Sequence, residues 1–186
     1  MNQRGLRSEL GGVLVLLILA LSACRGGTAS NESGTSPSPA TGALAKQIKA
    51  LEASGQLPKL DRSVDIRGPD NDNNGIRDDI DTWIAAQPIS DEQKKAARQA
   101  ARVRQAELLV DLTNKVELDR LGDLSMASVK CLRLSFMPDY QRGYDLSSTI
   151  VAITANTKQR AKQYLAYNRA ISGSSGRLPE GNTCEP

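Results

Sequence analysis

Beyond residue 40, apolar residues recur three and four positions apart, the period of helices buried on one side. Leu44, Ile48 and Leu51 share such a face over about 42–54, with Thr41 placed to cap the helix, Gly55 to end it and Pro58 just beyond. Residues 56–69 lose the period and read as an extended connector. Ile80, Trp83 and Ile84 mark one or two helical turns in "DDIDTWIAA", which ends near Pro88. Ser90 and Gln93 then form a capping-box pattern, with Asp91 and Glu92 suited to the positive helix start. Good helix formers carry that helix to about Leu121, where Gly122 and Asp123 predict a break. A further helix over about 124–136 presents Leu124, Val129, Cys131, Leu132 and Phe136. After a turn-rich stretch, "MPDYQRGYD", Asp145 is placed to cap a last helix over about 146–171, closed by Gly173. Its apolar positions are Ile150, Ile153, Ala161, Tyr164, Leu165 and Ile171. No strand pattern and no internal repeat is found. The expectation is an all-α fold, one small domain of about four to five helices over 41–186.

Composition changes the picture in two places. The chain contains one Phe, one Trp and four Tyr, so its core must be built from Leu, Ile, Val and Ala. It contains no histidine, which removes the commonest general base. Nothing marks a base beside any serine, and there is no phosphate-binding glycine loop or nucleophile elbow. Catalysis is therefore not expected. Tyr164 and Tyr167 read as packing residues of the last helix, and Lys94, Lys95, Arg98, Arg102 and Arg104 as a solvated helix face.

The N-terminal segment sets the address. Arg4 and Arg7 precede an unbroken apolar run, Val13–Leu21, of nine residues. That is the h-region of an export signal and too short to span a bilayer, which needs about 20 residues. It ends in Leu21-Ser22-Ala23-Cys24. These four residues resemble the lipobox of bacterial lipoproteins. The resemblance implies a signal peptide over 1–23, cleavage before Cys24 and lipid on Cys24. More than one acyl chain, as lipoproteins of this kind carry, gives a stable anchor. Arg25 in place of an Asp leans, within the same resemblance, toward an outer membrane facing the periplasm. Residues 25–40, "RGGTASNESGTSPSPA", then form a flexible tether between lipid and folded domain. Loss of residues 1–23 takes Arg4, Arg7 and Glu9 from the 24 basic and 21 acidic residues, leaving a net +2. Such a balance does not argue for a nucleic-acid partner. With Cys24 acylated, Cys131 and Cys184 remain as an even pair. In an oxidising compartment they are expected to form a disulfide that ties down the polar C-terminal tail.

The densest chemistry is "DNDNNGIRDDID" at 70–81, which holds five aspartates and one glycine. On a twelve-position frame, Asp70 is position 1, Asp72 is 3, Asn74 is 5, Gly75 is 6, Ile76 is 7, Asp78 is 9 and Asp81 is 12. Calcium takes six to eight hard oxygen ligands at flexible distances. Side chains at 1, 3 and 5 can converge as the chain curls, and the glycine permits the turn. The Ile76 carbonyl can point inward, Asp78 can act directly or through water, and Asp81 can close the cage from the following helix. Magnesium prefers to keep its own waters, and zinc wants nitrogen or sulfur. The segment resembles the EF-hand-like loops of dockerins and thrombospondin type 3 repeats, with Asn74 in place of one Asp. Arg77 at position 8 and Asp81 in place of the longer Glu depart from the EF-hand pattern. There is also no second loop of this kind, so a sensor that opens in pairs is not implied.

Together these features describe a lipid-anchored, calcium-stabilised helical domain of the bacterial envelope. It would be attached to the membrane through its lipid and act by binding an unidentified envelope protein. The alternatives are a periplasmic inhibitor or immunity lipoprotein against a toxin or hydrolase, and an unrecognised hydrolase. Beyond the two motifs, the chain looks like small uncharacterised bacterial lipoproteins.

Overall fold

The computed structural model describes residues 39–186, and side chains from residue 42 onward. The expected signal, Cys24 and nearly all of the tether lie outside the described residues. Six helices follow: α1 (Pro39–Ala53), α2 (Asp78–Ala85), α3 (Asp91–Leu109), α4 (Lys115–Ser135), α5 (Tyr140–Thr154) and α6 (Lys158–Ala170), with no strand among the described residues. The fold is all-α, with one helix more than expected.

α1 begins earlier than expected. Pro39 is its first residue, a position that needs no backbone N–H and suits the fixed φ of proline, so Thr41 falls in the first turn and not at the cap. Gly55, at φ +75°, ends the helix as expected, and Gln56 N and Leu57 N both donate to Leu51 O at 2.9 and 3.1 Å. The apolar face remains outside the cores, with Leu44 and Leu51 both exposed. α1 is tied to the following connector instead. Glu52 pairs with Arg62 at 2.7 Å, and those hydrogen bonds hold its carboxyl below the usual range.

α3 is the central element and packs against α2, α4, α5 and α6. Its start is the expected capping box, Ser90 accepting from Gln93 N while Ser90 N donates to the Gln93 side chain. Ala96, Ala97, Ala100 and Ala101 are all buried, and such small side chains let three helices approach one backbone. The main core joins these alanines to Ile76, Ile80 and Ile84 of the loop and α2, Cys131, Leu132 and Phe136 of α4, and Ile150 and Ile153 of α5. Trp83 packs at its edge. A smaller core of Leu118, Leu121 and Tyr167 lies between the first half of α4 and α6.

Two expected boundaries are corrected. The long helix stops at Leu109, not near Leu121, and Gly122 sits inside α4. The break belongs to "VDLTN": Val110 is extended, Asp111 accepts from both the backbone and hydroxyl of Thr113, and Asn114 caps α4 by accepting from Glu117 N. Local side-chain acceptors of this kind outcompete a continued helix. The last helix is likewise two. Asp139, not Asp145, caps α5, and Thr157 caps α6 by accepting from Arg160 N at 3.2 Å. Asp145 lies inside α5, where it accepts from Gln141 Nε2.

The C-terminal tail runs along α3 and α4. Cys131 and Cys184 stand at bonding distance with 4.9 Å between Cα atoms, the expected pair. Gln99, buried on α3, donates to Thr183 O at 2.8 Å and accepts from Glu185 N at 3.1 Å. Thr183 Oγ1 donates to Ala127 O, and Lys130 Nζ to Pro179 O. Three arginines of the expected solvated basic face are paired: Arg98 with Asp81, Arg102 with Glu185, and Arg104 with Glu107.

Candidate metal centre

The loop between connector and α2 curls through two residues in the left-handed region, Asn73 at φ +56° and Gly75 at φ +80°. Asparagine and glycine are the residues that tolerate it best. Asp78 N donates to Pro69 O at 2.9 Å and closes the loop where α2 begins. The curl brings Asp70, Asp72 and Asp78 together, each offering one carboxylate oxygen within 4.8 Å of the others. None of the three makes an ion pair among the described residues. Their local bonds are to loop donors. Asp70 accepts from Asn74 N and Gly75 N, Asp72 from Asn74 N and Nδ2, and Asp78 from Asn71 N and Nδ2.

The other expected ligands are placed differently. Asn74 lies beside the trio, its Oδ1 accepting from Ile76 N at 2.8 Å and its Nδ2 facing Asp81 Oδ2 at 3.4 Å. Ile76 is fully buried in the main core and anchors the loop to it. Asp81 stands outside the trio and accepts from Arg98 Nε of α3 at 2.6 Å. A guanidinium therefore meets the position-12 carboxylate. The donor set is all carboxylate and amide oxygen, which are hard donors. Asp70, Asp72 and Asp78 are the group that could hold an ion.

What positions the loop was not anticipated: two arginines with no exposed surface, Arg77 and Arg160. Arg77, one residue before α2, binds Asp79 through Nε and Nη2 at 2.5 and 3.0 Å. It also donates to the carbonyls of Ile153 and Thr154 at the end of α5, where a cation suits the helix C-terminus. Arg160 of α6 donates to the carbonyls of Asp61, Asp65 and Ile66, to Asn156 Oδ1 and to Asp61 Oδ2. Asp61 N in turn donates to Asp79 Oδ2 at 2.6 Å. Burial raises the Asp61 carboxyl, but hydrogen bonds from Arg160 and Ser63 bring it below its usual range. Connector, loop, α2, α5 and α6 are thus joined by one network of charge-assisted bonds. The connector has no regular structure, and this network satisfies its carbonyls. The departure noted at position 8, Arg77, was the available signal. Nothing in the spacing of Arg160 distinguishes it from Arg169, the surface arginine of the same helix.

No protein-family model matches the chain, and neither does any curated protein or any solved structure. The site must be interpreted from its own chemistry.

Proposed function

We propose that this chain is a lipid-anchored protein of the bacterial envelope, that its 70–81 loop holds calcium as a structural ion, and that it serves as a binding or scaffolding accessory lipoprotein. The observation that carries the calcium reading is the trio Asp70, Asp72 and Asp78, gathered within 4.8 Å with no cation of the described residues paired to any of them. Bound there, calcium would neutralise the repulsion between the three carboxylates, and Asn74, the Ile76 carbonyl and Asp81 are the further oxygen donors that the same loop would have to bring to it. The ion would stiffen the junction between connector and α2, and so the surface that the network of Arg77 and Arg160 supports. Support for the anchor comes from Leu21-Ser22-Ala23-Cys24 and the tether that follows. No helix of the described residues is long and apolar enough to cross a membrane.

Two experiments test this reading. Cells expressing the full chain are grown with labelled palmitate: label that disappears on Cys24→Ala supports the anchor, and an unlabelled protein overturns it. The fragment 25–186 is then used as bait in envelope extract, with calcium and with a chelator. One dominant protein, lost on chelation, supports a calcium-dependent binding surface. No enriched protein in either condition overturns the binding role.

A further inference from the structure

Of the six helices, α1 alone packs closely against no other among the described residues. Leu44, Ile48 and Leu51 form an apolar stripe along it, spaced four and three apart, and Leu44 is 57% exposed. The turn at Gly55 keeps Leu57, also exposed, at the end of the helix, where its N–H reaches Leu51 O. The connector holds α1 through a polar side chain, Glu52, which pairs with Arg62. A helix of fifteen residues is marginal in water on its own. An apolar stripe on such a helix calls for a surface to lie on.

Two observations say which surface. The first is chain length. Fourteen residues, 25–38, separate Cys24 from α1. A chain of that length spans at most about 50 Å. With Cys24 acylated, α1 cannot leave the neighbourhood of the bilayer. The second is charge. Glu52 is the single acid of α1 and is matched by Arg62 at 2.7 Å. Lys46 and Lys49 have no ion-pair partner among the described residues. Two unmatched cations suit an anionic lipid surface. A second copy of the chain is a poorer cover. A fifteen-residue helix, about 22 Å long and 10–12 Å wide, offers roughly 250 Å² a side, far below the ~1,200 Å² total of a stable interface.

We propose that α1 is an interfacial helix: it lies on the bilayer that holds the lipid of Cys24, with Leu44, Ile48 and Leu51 turned into the boundary between headgroups and acyl chains. The inference rests on the lipid anchor proposed above and adds that the folded domain itself touches the membrane. A stripe of three large residues binds a bilayer weakly by itself. The anchor raises the effective concentration of the surface to the millimolar range, where a weak contact is populated. Lipid and helix then act as two signals, the combination that makes membrane attachment stable.

The test uses the full chain, purified with its lipid and reconstituted in vesicles of phosphatidylethanolamine and phosphatidylglycerol. The vesicles are made with and without lipids brominated on the acyl chain, which quench tryptophan on contact. Trp83 is the one natural tryptophan and sets the background. Leu44→Trp puts a second one on the stripe. Gly42→Trp puts it about 160° round the helix, nearer to Cys24 along the chain, where a Cβ meets nothing within 4 Å. A face sunk about 5–10 Å meets the bromines, so Leu44→Trp should lose on the order of half of its added emission and Gly42→Trp almost none. A chain that carries no lipid by mass and does not float with the vesicles overturns the anchor, and the docking with it. A lipidated chain in which both variants stay at background overturns the docking alone. Equal quenching of the two also overturns it, because nearness to Cys24 and not the stripe would then decide the contact. The last arm is sedimentation of the fragment 25–186, which keeps both cores, since their residues lie between 60 and 184. A dimer broken by Leu44→Ser would give the stripe to a second copy and overturn the proposal; a monomer is expected.

Discussion

Gly68 combines a φ of +68° with two arginines packed where its side chain would be. A Cβ there would lie 2.3 Å from Arg77 Cδ and 2.9 Å from Arg160 Nη2. Both side chains are fixed by several hydrogen bonds, so neither can yield cheaply. Gly68→Ala should therefore destabilise the protein by about 2–4 kcal/mol in urea unfolding, well beyond the left-handed strain alone, which is about 1–2 kcal/mol. Gly75→Ala offers the control, since its Cβ would meet only the flexible Arg102 stem at 3.4 Å, and its cost should stay near the strain term. The same network sets an acid response. The Asp61 carboxyl is held below the ordinary aspartate range in the folded state. Its contribution is then complete above the unfolded value and is lost as pH falls through the lower folded one. Asp61→Asn should lower stability near neutral pH and flatten its decline below about pH 4, read from urea midpoints across the acid range. A midpoint profile parallel to the unaltered protein would remove Asp61 from the acid response. None of this was visible in apolar spacing. A buried arginine looks like any other in a sequence, and only the carbonyls brought to it by the fold reveal its use.

At the scale of elements, local chemistry was legible and continuity was not. The Ser90–Gln93 box announced α3 because both partners lie within one turn. The all-α class, α1, α2 and the core positions Ile80, Ile84, Cys131, Leu132, Phe136, Ile150 and Ile153 followed from helical spacing. The breaks at 110–114 and 155–157 did not, because both flanks keep good helix formers and the interruptions rest on one or two polar side chains. Gly122 misled for the opposite reason: a helix held by packing tolerates a glycine whose cost is about 1 kcal/mol. The C-terminal tail is an element without secondary structure, fixed by Gln99, Thr183, Lys130 and the sulfur pair. Cys131 and Cys184 are 53 residues apart, and the chain-entropy view puts their link at roughly 4 kcal/mol. Reduction should lower the melting temperature by at least several degrees while most helical signal persists at 25 °C, because the tail adds only Cys184, at its edge, to the main core that α3, α4 and α5 share. Loss of the helical signal on reduction at 25 °C would mean that the tail is a prerequisite of the fold and not a strap across it.

For the molecule as a whole, the acidic loop is where a single ion would couple most parts. Ile76 plants it in the main core, Arg77 joins its exit to α5, and Asp81 reaches α3 through Arg98. An ion held by Asp70, Asp72 and Asp78 would therefore stabilise the native state globally, by about 2.7 kcal/mol at a hundred times its dissociation constant. For a domain of this size that corresponds to a rise of roughly 5–10 °C in Tm. Calcium should produce the rise, magnesium less of it, and Asp72→Asn should abolish it. Among the described residues that side chain bonds only to Asn74, so the variant's own melting point without calcium should hardly change. Arg98 gives the sharper discrimination. Its guanidinium lies 2.6 Å from Asp81 and competes for the carboxylate expected to close the cage. If Asp81 joins the ion, Arg98→Gln frees the ligand and removes a nearby positive charge. Calcium should then bind roughly three- to tenfold more tightly, while the metal-free protein loses at most about 1 kcal/mol from a partly exposed pair. Weaker calcium binding in Arg98→Gln would show instead that the pair holds the loop in its binding form, with Asp81 acting through Arg98 and not on the ion.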